Sequence, residues 1–314
     1  MKIRIGTRGS RLARAQSTDV GQRLEAAGHA VDYVIVKTAG DRNQDVPFEA
    51  VGAPGVFVRE LETALTEGRV DLAVHSYKDL PSRGPAELVV AAVPERIDPG
   101  DELFAHPRAL RDGGGPLPLV EGARLGTASA RRQALAHDLR PDLELALLRG
   151  NVPTRLRKLS EGQYDAILLA AAGVRRLERS ADRDGEAPLE LDALVRLSLD
   201  PEHFVPAPAQ GALALQVRAD DAATRAAAGA LDAPEVHRAV RAERALLTLV
   251  EGGCNLPFGA WCRGAENGEL ELFAALGTPA GLARARCAGS EPEELARRAW
   301  DELRAAAGDR GETP

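Results

Sequence analysis

The chain has 314 residues, a formal net charge of −7, 44% hydrophobic residues and 4% aromatic residues. That length exceeds one ordinary core and implies two or three domains. No apolar run approaches the roughly 20 residues a bilayer-spanning helix needs, and the acidic balance argues against a nucleic-acid binder working through a general basic surface. Cys254, Cys262 and Cys287 form no CxxC pair and have no histidine cluster nearby, so neither a disulfide framework nor a metal centre is expected. Lys2, Lys37, Lys78 and Lys158 are the only lysines among 40 basic residues, so arginine abundance proves nothing and only arginine positions carry an argument.

Residues 3–5 read as a short strand rather than a signal peptide, which would need a longer apolar region, and this places the protein in the cytoplasm. Gly6-Thr7-Arg8-Gly9-Ser10-Arg11 follows, with Ser10 as N-cap of a helix that carries Leu12, Ala15, Val20 and Leu24 inward until Gly28 stops it. Arg8 and Arg11 then stand at a helix N-terminus, where the backbone dipole disfavours positive charge unless an anion is bound. A strand over 31–36 ends in Lys37-Thr38-Ala39-Gly40-Asp41, and 42–54 reads as a loop near the site. Phe57, Leu61, Ala64 and Leu65 predict an amphipathic helix, stopped by Gly68. The strand after it leads into His75-Ser76-Tyr77-Lys78-Asp79-Leu80-Pro81. Lys78 and Asp79 thus lie at the carboxyl end of a parallel strand, the usual place for ligand chemistry in α/β sheets. On spacing alone, an exposed ion pair in a turn is the simpler account of the two.

Residues 88–93 form another strand, 94–99 read as a crossing between domains, and the pattern then starts again. A strand ends at Gly126-Thr127, Ser129 caps a helix, and Arg131 and Arg132 fall in its first turn. A strand over 143–148 turns at Arg149-Gly150-Asn151 into a helix with Pro153 in its first turn and Arg155 beyond. A third strand, 165–170, ends at Ala171-Ala172-Gly173 with Arg175 and Arg176 just beyond, and 180–188 reads as a surface loop. Arginines repeated at such junctions point to several carboxylates on one large ligand. Residues 206–211 suit a return hinge, and His203 and His237 read as locally satisfied. From residue 220 the expectation is two helices, three strands and a last helix over 292–307. The second of those helices runs into Glu251-Gly252-Gly253-Cys254-Asn255-Leu256-Pro257, where two glycines clear the approach to a thiol and Pro257 prevents the helix from resuming. A lone cysteine is more often a small buried hydrophobe than a reactive group, and only the rest of the chain changes those odds.

Eight stretches in this order resemble the hydroxymethylbilane synthase family, also called porphobilinogen deaminase, over essentially the whole chain. They are Ile5 to Ser10, Lys37 to Asp41, Phe57 to Glu62, Val74 to Pro81, Gly126 to Gln133, Leu148 to Asn151, Gln210 to Ala212 and Glu251 to Cys254. The resemblance implies an α/β fold of two periplasmic-binding-protein-like domains flanking a cleft, 1–98 with 200–218 and 99–199, plus a C-terminal α+β domain with a three-stranded sheet, 219–314. It implies a dipyrromethane cofactor joined to Cys254 by a thioether. Onto this primer four porphobilinogen molecules are added head to tail with loss of ammonia, and hydrolysis then releases the linear tetrapyrrole. Asp79 matches the family's catalytic aspartate and also contacts the cofactor. Lys78, Thr127, Ser129, Arg131, Arg132 and Arg155 would hold the cofactor. Arg8, Ser10, Ser76, Arg149, Asn151, Arg155, Arg176 and Gln210 would bind substrate. No nucleic-acid, membrane or metal partner is implied, and the protein is expected to be a monomer. Losing ammonia from an aminomethylpyrrole leaves a delocalised cation, so a carboxylate suits the step, and guanidinium groups suit the acetates and propionates of the growing product.

The chain departs from the family at Pro54, Arg59, Pro153 and Ala209, which bears on loop behaviour and substrate affinity more than on the reaction. A non-catalytic carboxylate-binding protein of the periplasmic class is the alternative reading, but it gives Cys254 no purpose. A phosphate or nucleic-acid binder using the same helix starts is disfavoured by the acidic charge and the scarcity of aromatics.

Overall fold

The structure, a computed structural model, describes residues 1–36, 58–113, 115–250 and 257–308. The expected Lys37 to Asp41 motif, the 42–54 loop, Pro54, Phe57 and Cys254 lie outside the described residues. Two compact units divide the chain: Met1–Ile97 with Gly211–Arg238, and Asp98–Gln210 with Ala239–Pro314. The unit boundaries at 97–98 and 210–211 fall in the 94–99 stretch read as a crossing and the 206–211 stretch read as a return hinge. Residues 200–210, expected with the first domain, lie in the second unit, whereas 219–238, expected with the third domain, lie in the first.

The first unit is built on β1 (Lys2–Thr7), β2 (Ala30–Ile35), β3 (Leu72–Ser76), β4 (Leu88–Ala92) and β10 (Leu213–Arg218), in the order β2-β1-β3-β10-β4. The pairs β1/β2 and β1/β3 are parallel, and β10 runs antiparallel to both β3 and β4. Side chains alternate along a strand, so Leu72 and Val74 join Ile3, Ile5, Val20 and Leu24 on one face while Ala73 joins Leu61, Leu65 and Val70 on the other. Helix α1 (Arg11–Ala26) supplies Val20 and Leu24 to the first face, and α2 (Arg59–Thr66) supplies Leu61 and Leu65 to the second. As expected, Ser10 caps α1, its Oγ accepting from the Ala13 amide at 3.3 Å, and Gly28 (φ 87°) takes the left-handed conformation just past the helix end.

The second unit contains a sheet of the same plan: β5 (Asp101–Ala105), β6 (Arg124–Gly126), β7 (Glu144–Ala146), β8 (Ala166–Ala170) and β9 (Val195–Ser198), in the order β7-β6-β8-β5-β9. Its β6 is parallel to β7 and β8, and β5 is antiparallel to β8 and β9. Helices α3 (Ala130–Leu139), α4 (Val152–Ser160) and α5 (Ala171–Asp184) follow β6, β7 and β8. Two expectations are corrected here. Helix α5 starts directly after β8 without a loop, and it runs through most of the 180–188 stretch until Gly185 (φ 65°) ends it. Val174 and Leu177 bury the inner face of α5, and Ser180 donates to Asp184 one turn on, so packing overrides the loop-like Ala171-Ala172-Gly173 start. Strands β5 and β9 were not anticipated.

Helix α6 (Ala222–Gly229) packs on β4 and β10, and α7 (Pro234–Val250) passes from the first unit into the second. Beyond it, β11 (Phe258–Gly264), β12 (Leu270–Thr278) and β13 (Gly281–Gly289) form the expected three-stranded antiparallel sheet. Helix α8 (Pro292–Ala306) covers one face through Leu295, Ala299 and Leu303. No helix among the described residues is long and apolar enough to cross a membrane.

Candidate active site

In the first unit, β1 and β3 are neighbours and parallel, so the loops leaving their carboxyl ends lie side by side. After β1, Thr7 is buried and its hydroxyl donates to the Ala13 carbonyl at 3.1 Å, tying the Arg8 to Ser10 loop to α1. After β3, a single 3-10 turn (Tyr77–Asp79) carries Lys78 and Asp79, and the Ser76 hydroxyl accepts from Gln16 Nε2 at 2.8 Å. Lys78 is half-buried, and water reaches Asp79. The protein around the Asp79 carboxyl nevertheless disfavours its charged form and raises its pKa, against the opposing pull of Lys78 and Arg8. The structure therefore brings together Arg8, Lys78 and Asp79 as one electrostatic group. Beneath the turn, His75 is buried, with Nε2 2.9 Å from Gln216 Oε1, and Gln216 Nε2 donates to Glu62 Oε1 at 3.1 Å. Burial pushes the imidazole down to about 4, against Gln216, so it stays neutral.

In the second unit the β6 to α3 junction repeats the arrangement. A Cβ on Gly126 would lie 2.7 Å from the Tyr164 ring, so only glycine fits there. Buried Thr127 accepts from the Ser129 amide at 3.2 Å, and Ser129 caps α3 by accepting from the Arg132 amide at 3.4 Å. Arg131 and Arg132 are both buried and converge on Asp101, which heads β5. Arg131 reaches Asp101 Oδ2 at 2.8 Å and the Val205 carbonyl at 2.8 Å. Arg132 reaches Asp101 Oδ1 at 2.7 Å and the Leu168 carbonyl at 2.9 Å. Burial works to raise the Asp101 pKa, but the two guanidinium groups outweigh it and hold the carboxyl well below the usual range.

Arg155 donates to the Gly150 carbonyl at 2.7 Å and has no acidic partner among the described residues. Burial, with Arg132 nearby, pushes its pKa down to about 10. Asn151 caps α4 through the Thr154 amide at 3.0 Å, which leaves its side chain a structural task, while Arg149 is half-buried in the same turn. Arg176 is buried on α5. Gln210 is buried, its amide donating to Asp101 Oδ1 at 2.9 Å and to the carbonyls of Pro99 and Gly100.

Sequence reasoning missed Asp101, although an acidic pair at the head of an otherwise apolar run, Asp101-Glu102-Leu103-Phe104-Ala105, was a readable signal of buried charge. It also missed His75 and Glu62 as buried polar groups. His203 and His237 each have a local aspartate, Asp200 and Asp232, as expected.

A family model described as porphobilinogen deaminase, dipyromethane cofactor binding domain, matches residues 3–226, and one described as porphobilinogen deaminase, C-terminal domain, matches 237–305. The chain belongs to the porphobilinogen deaminase family. A porphobilinogen deaminase of Syntrophobacter fumaroxidans is 46% identical over 82% of this chain and 78% of its own length. Another, from Roseiflexus sp. (strain RS-1), is 42% identical over 95% of this chain and 94% of its own. Among solved structures, the Bordetella pertussis BvgS periplasmic VFT2 domain aligns with a TM-score of 0.42 at 14% identity, covering 73% of this chain and 85% of that one.

Proposed function

We propose that the chain is a hydroxymethylbilane synthase, a transferase that condenses porphobilinogen head to tail on a dipyrromethane primer and releases the linear tetrapyrrole by hydrolysis. The observation that carries the chemistry is the placement of Asp79 next to Lys78 in the turn that leaves β3, within the field of Arg8 and open to water. A carboxyl whose neutral form is favoured can give its proton to the departing amine of porphobilinogen. As the carbon–nitrogen bond breaks and ammonia leaves, the resulting carboxylate faces the positive charge left on the substrate. Gln16 and Ser76 brace the turn that aims this group.

The residues of the second unit fit a carboxylate-rich cofactor. Arg131 and Arg132 share one buried carboxylate, and Arg155 adds a cation with no acidic partner among the described residues, so the cluster carries surplus positive charge. When bound, dipyrromethane supplies the pyrrole carbon to which substrate is joined. Lys78, Thr127, Ser129, Arg131, Arg132 and Arg155 would hold it, with Arg8, Ser10, Ser76, Arg149, Asn151, Arg176 and Gln210 serving the incoming substrate. Cys254 is the attachment point. The other two thiols support this by elimination, since Cys262 and Cys287 are both 2% exposed and burial pushes Cys287 up to about 12, far from a thiolate.

The reading includes a cytoplasmic monomer of three domains, to be checked by cell fractionation and light scattering. Incubation with porphobilinogen tests the activity: one ammonia should appear for each substrate consumed, together with a linear tetrapyrrole. Binding without ammonia release would instead favour the non-catalytic carboxylate-binding alternative.

A further inference from the structure

Glu243 lies on α7 and is 0% exposed. Its Oε2 accepts from the Ala209 amide at 2.6 Å, and its Oε1 accepts from the Cys262 amide at 2.7 Å. These amides belong to distant stretches. Ala209 has φ 60°, a left-handed conformation that a residue with a Cβ adopts only when its surroundings hold it there. The next residue, Gln210, donates to Asp101 Oδ1, and Asp101 holds Arg131 and Arg132. Cys262 lies on β11, and in chain order α7 and β11 bracket Cys254.

We propose that Glu243 is a positioning residue for cofactor loading: its one carboxylate ties the strand after the cysteine stretch to the Ala209–Gln210 segment that steadies Asp101 and its arginine pair. This rests on the assignment of Cys254 and of Arg131 and Arg132 to the cofactor. A carboxylate is required because both partners are donors. In Glu243→Gln one side-chain oxygen becomes an NH2 group facing a backbone N–H, and one of the two amides loses its acceptor.

The test uses full-length apoprotein, produced in cells that cannot make porphobilinogen, given porphobilinogen at graded concentrations and followed by intact mass. Glu243→Gln should remain folded by circular dichroism but acquire the added mass about tenfold to a hundredfold more slowly, with half-maximal loading at higher porphobilinogen. Glu243→Asp, which keeps the charge but falls one methylene short, should show a smaller loss and serves if the glutamine variant fails to fold. A purely structural role would lower the unfolding midpoint and leave loading well below that midpoint unchanged. Wild type and folded variants loading at equal rates would overturn this inference alone. Wild-type apoprotein that gains no mass would overturn the functional assignment and this inference with it.

Discussion

In the first unit, β3 ends in a turn carrying Asp79, whose neutral form is favoured; in the second, β5 begins with Asp101, whose charge is fixed by Arg131 and Arg132. The two sheets share a strand plan: three parallel strands, then a strand antiparallel to them, then an edge strand. Both also follow a Gly-Thr strand end with a serine cap, at Gly6-Thr7 with Ser10 and at Gly126-Thr127 with Ser129. One scaffold thus serves opposite electrostatic ends. Where a 3-10 turn leaves the aspartate open to water, the group is free to move a proton. Where strand and helix bury it between two guanidinium groups, it becomes a fixed counter-ion that organises them.

The sharpest way to break this contrast is to remove each aspartate in turn. Asp79→Ala should lower ammonia release about 10²–10⁴-fold and leave urea unfolding nearly unchanged, because its charged form gains nothing from folding. Asp101→Asn should instead cost about 3–5 kcal/mol in denaturant unfolding by leaving two buried guanidinium groups short of a counter-charge. Similar stability losses from both would contradict the division.

The pH dependence of stability sharpens it. The folded-state pKa of Asp101 is depressed, so its contribution is present above the ordinary carboxylate value of 3.8 and is lost as the solution becomes more acidic. Asp79 has the opposite sign, its raised pKa making a contribution that fades as pH rises through the folded value. His75 adds a third window. With its pKa moved from 6.5 to about 4, it stays neutral in the fold, so its contribution is present above 6.5 and is lost as pH falls toward 4. That loss amounts to roughly 3 kcal/mol. Urea unfolding of wild type and His75→Gln across this range should show the slope in wild type and its flattening in the variant.

The smallest expected effect concerns the backbone at one residue. Ala209 stands at φ 60°, where glycine carries no steric penalty, so Ala209→Gly should stabilise the protein by about 0.5–1 kcal/mol in thermal unfolding. No change, or a loss, would mean that the Glu243 bond already removes the strain.

What the sequence revealed were features with local causes. Ser10 and Ser129 cap helices because a short polar side chain before an apolar-periodic run has one nearby amide to satisfy. Gly28 and Gly68 mark helix ends through positive φ. Asp79 was placed at the carboxyl edge of a parallel strand, and β3 bears that out. The missed features have non-local causes. Asp101 meets Arg131 and Arg132 only because β5 pairs antiparallel to β8, a pairing with no trace in either segment alone. The crossing read over 94–99 stops just short of Asp101. Helix α5 was obscured by Ala171-Ala172-Gly173, since small residues that let a helix start close against a strand also occur in loops. Glu243 has no local signal either, because its two acceptor bonds exist only in the folded unit.

The central claim, proposed above, is that a primer built from substrate is tethered through Cys254. Peptide mass mapping of the purified protein tests it most directly. The account predicts an added mass of two pyrrole units on the peptide containing Cys254, absent from Cys254→Ser. The same mass on a peptide containing Cys262 or Cys287, or an unmodified chain with full activity, would contradict it.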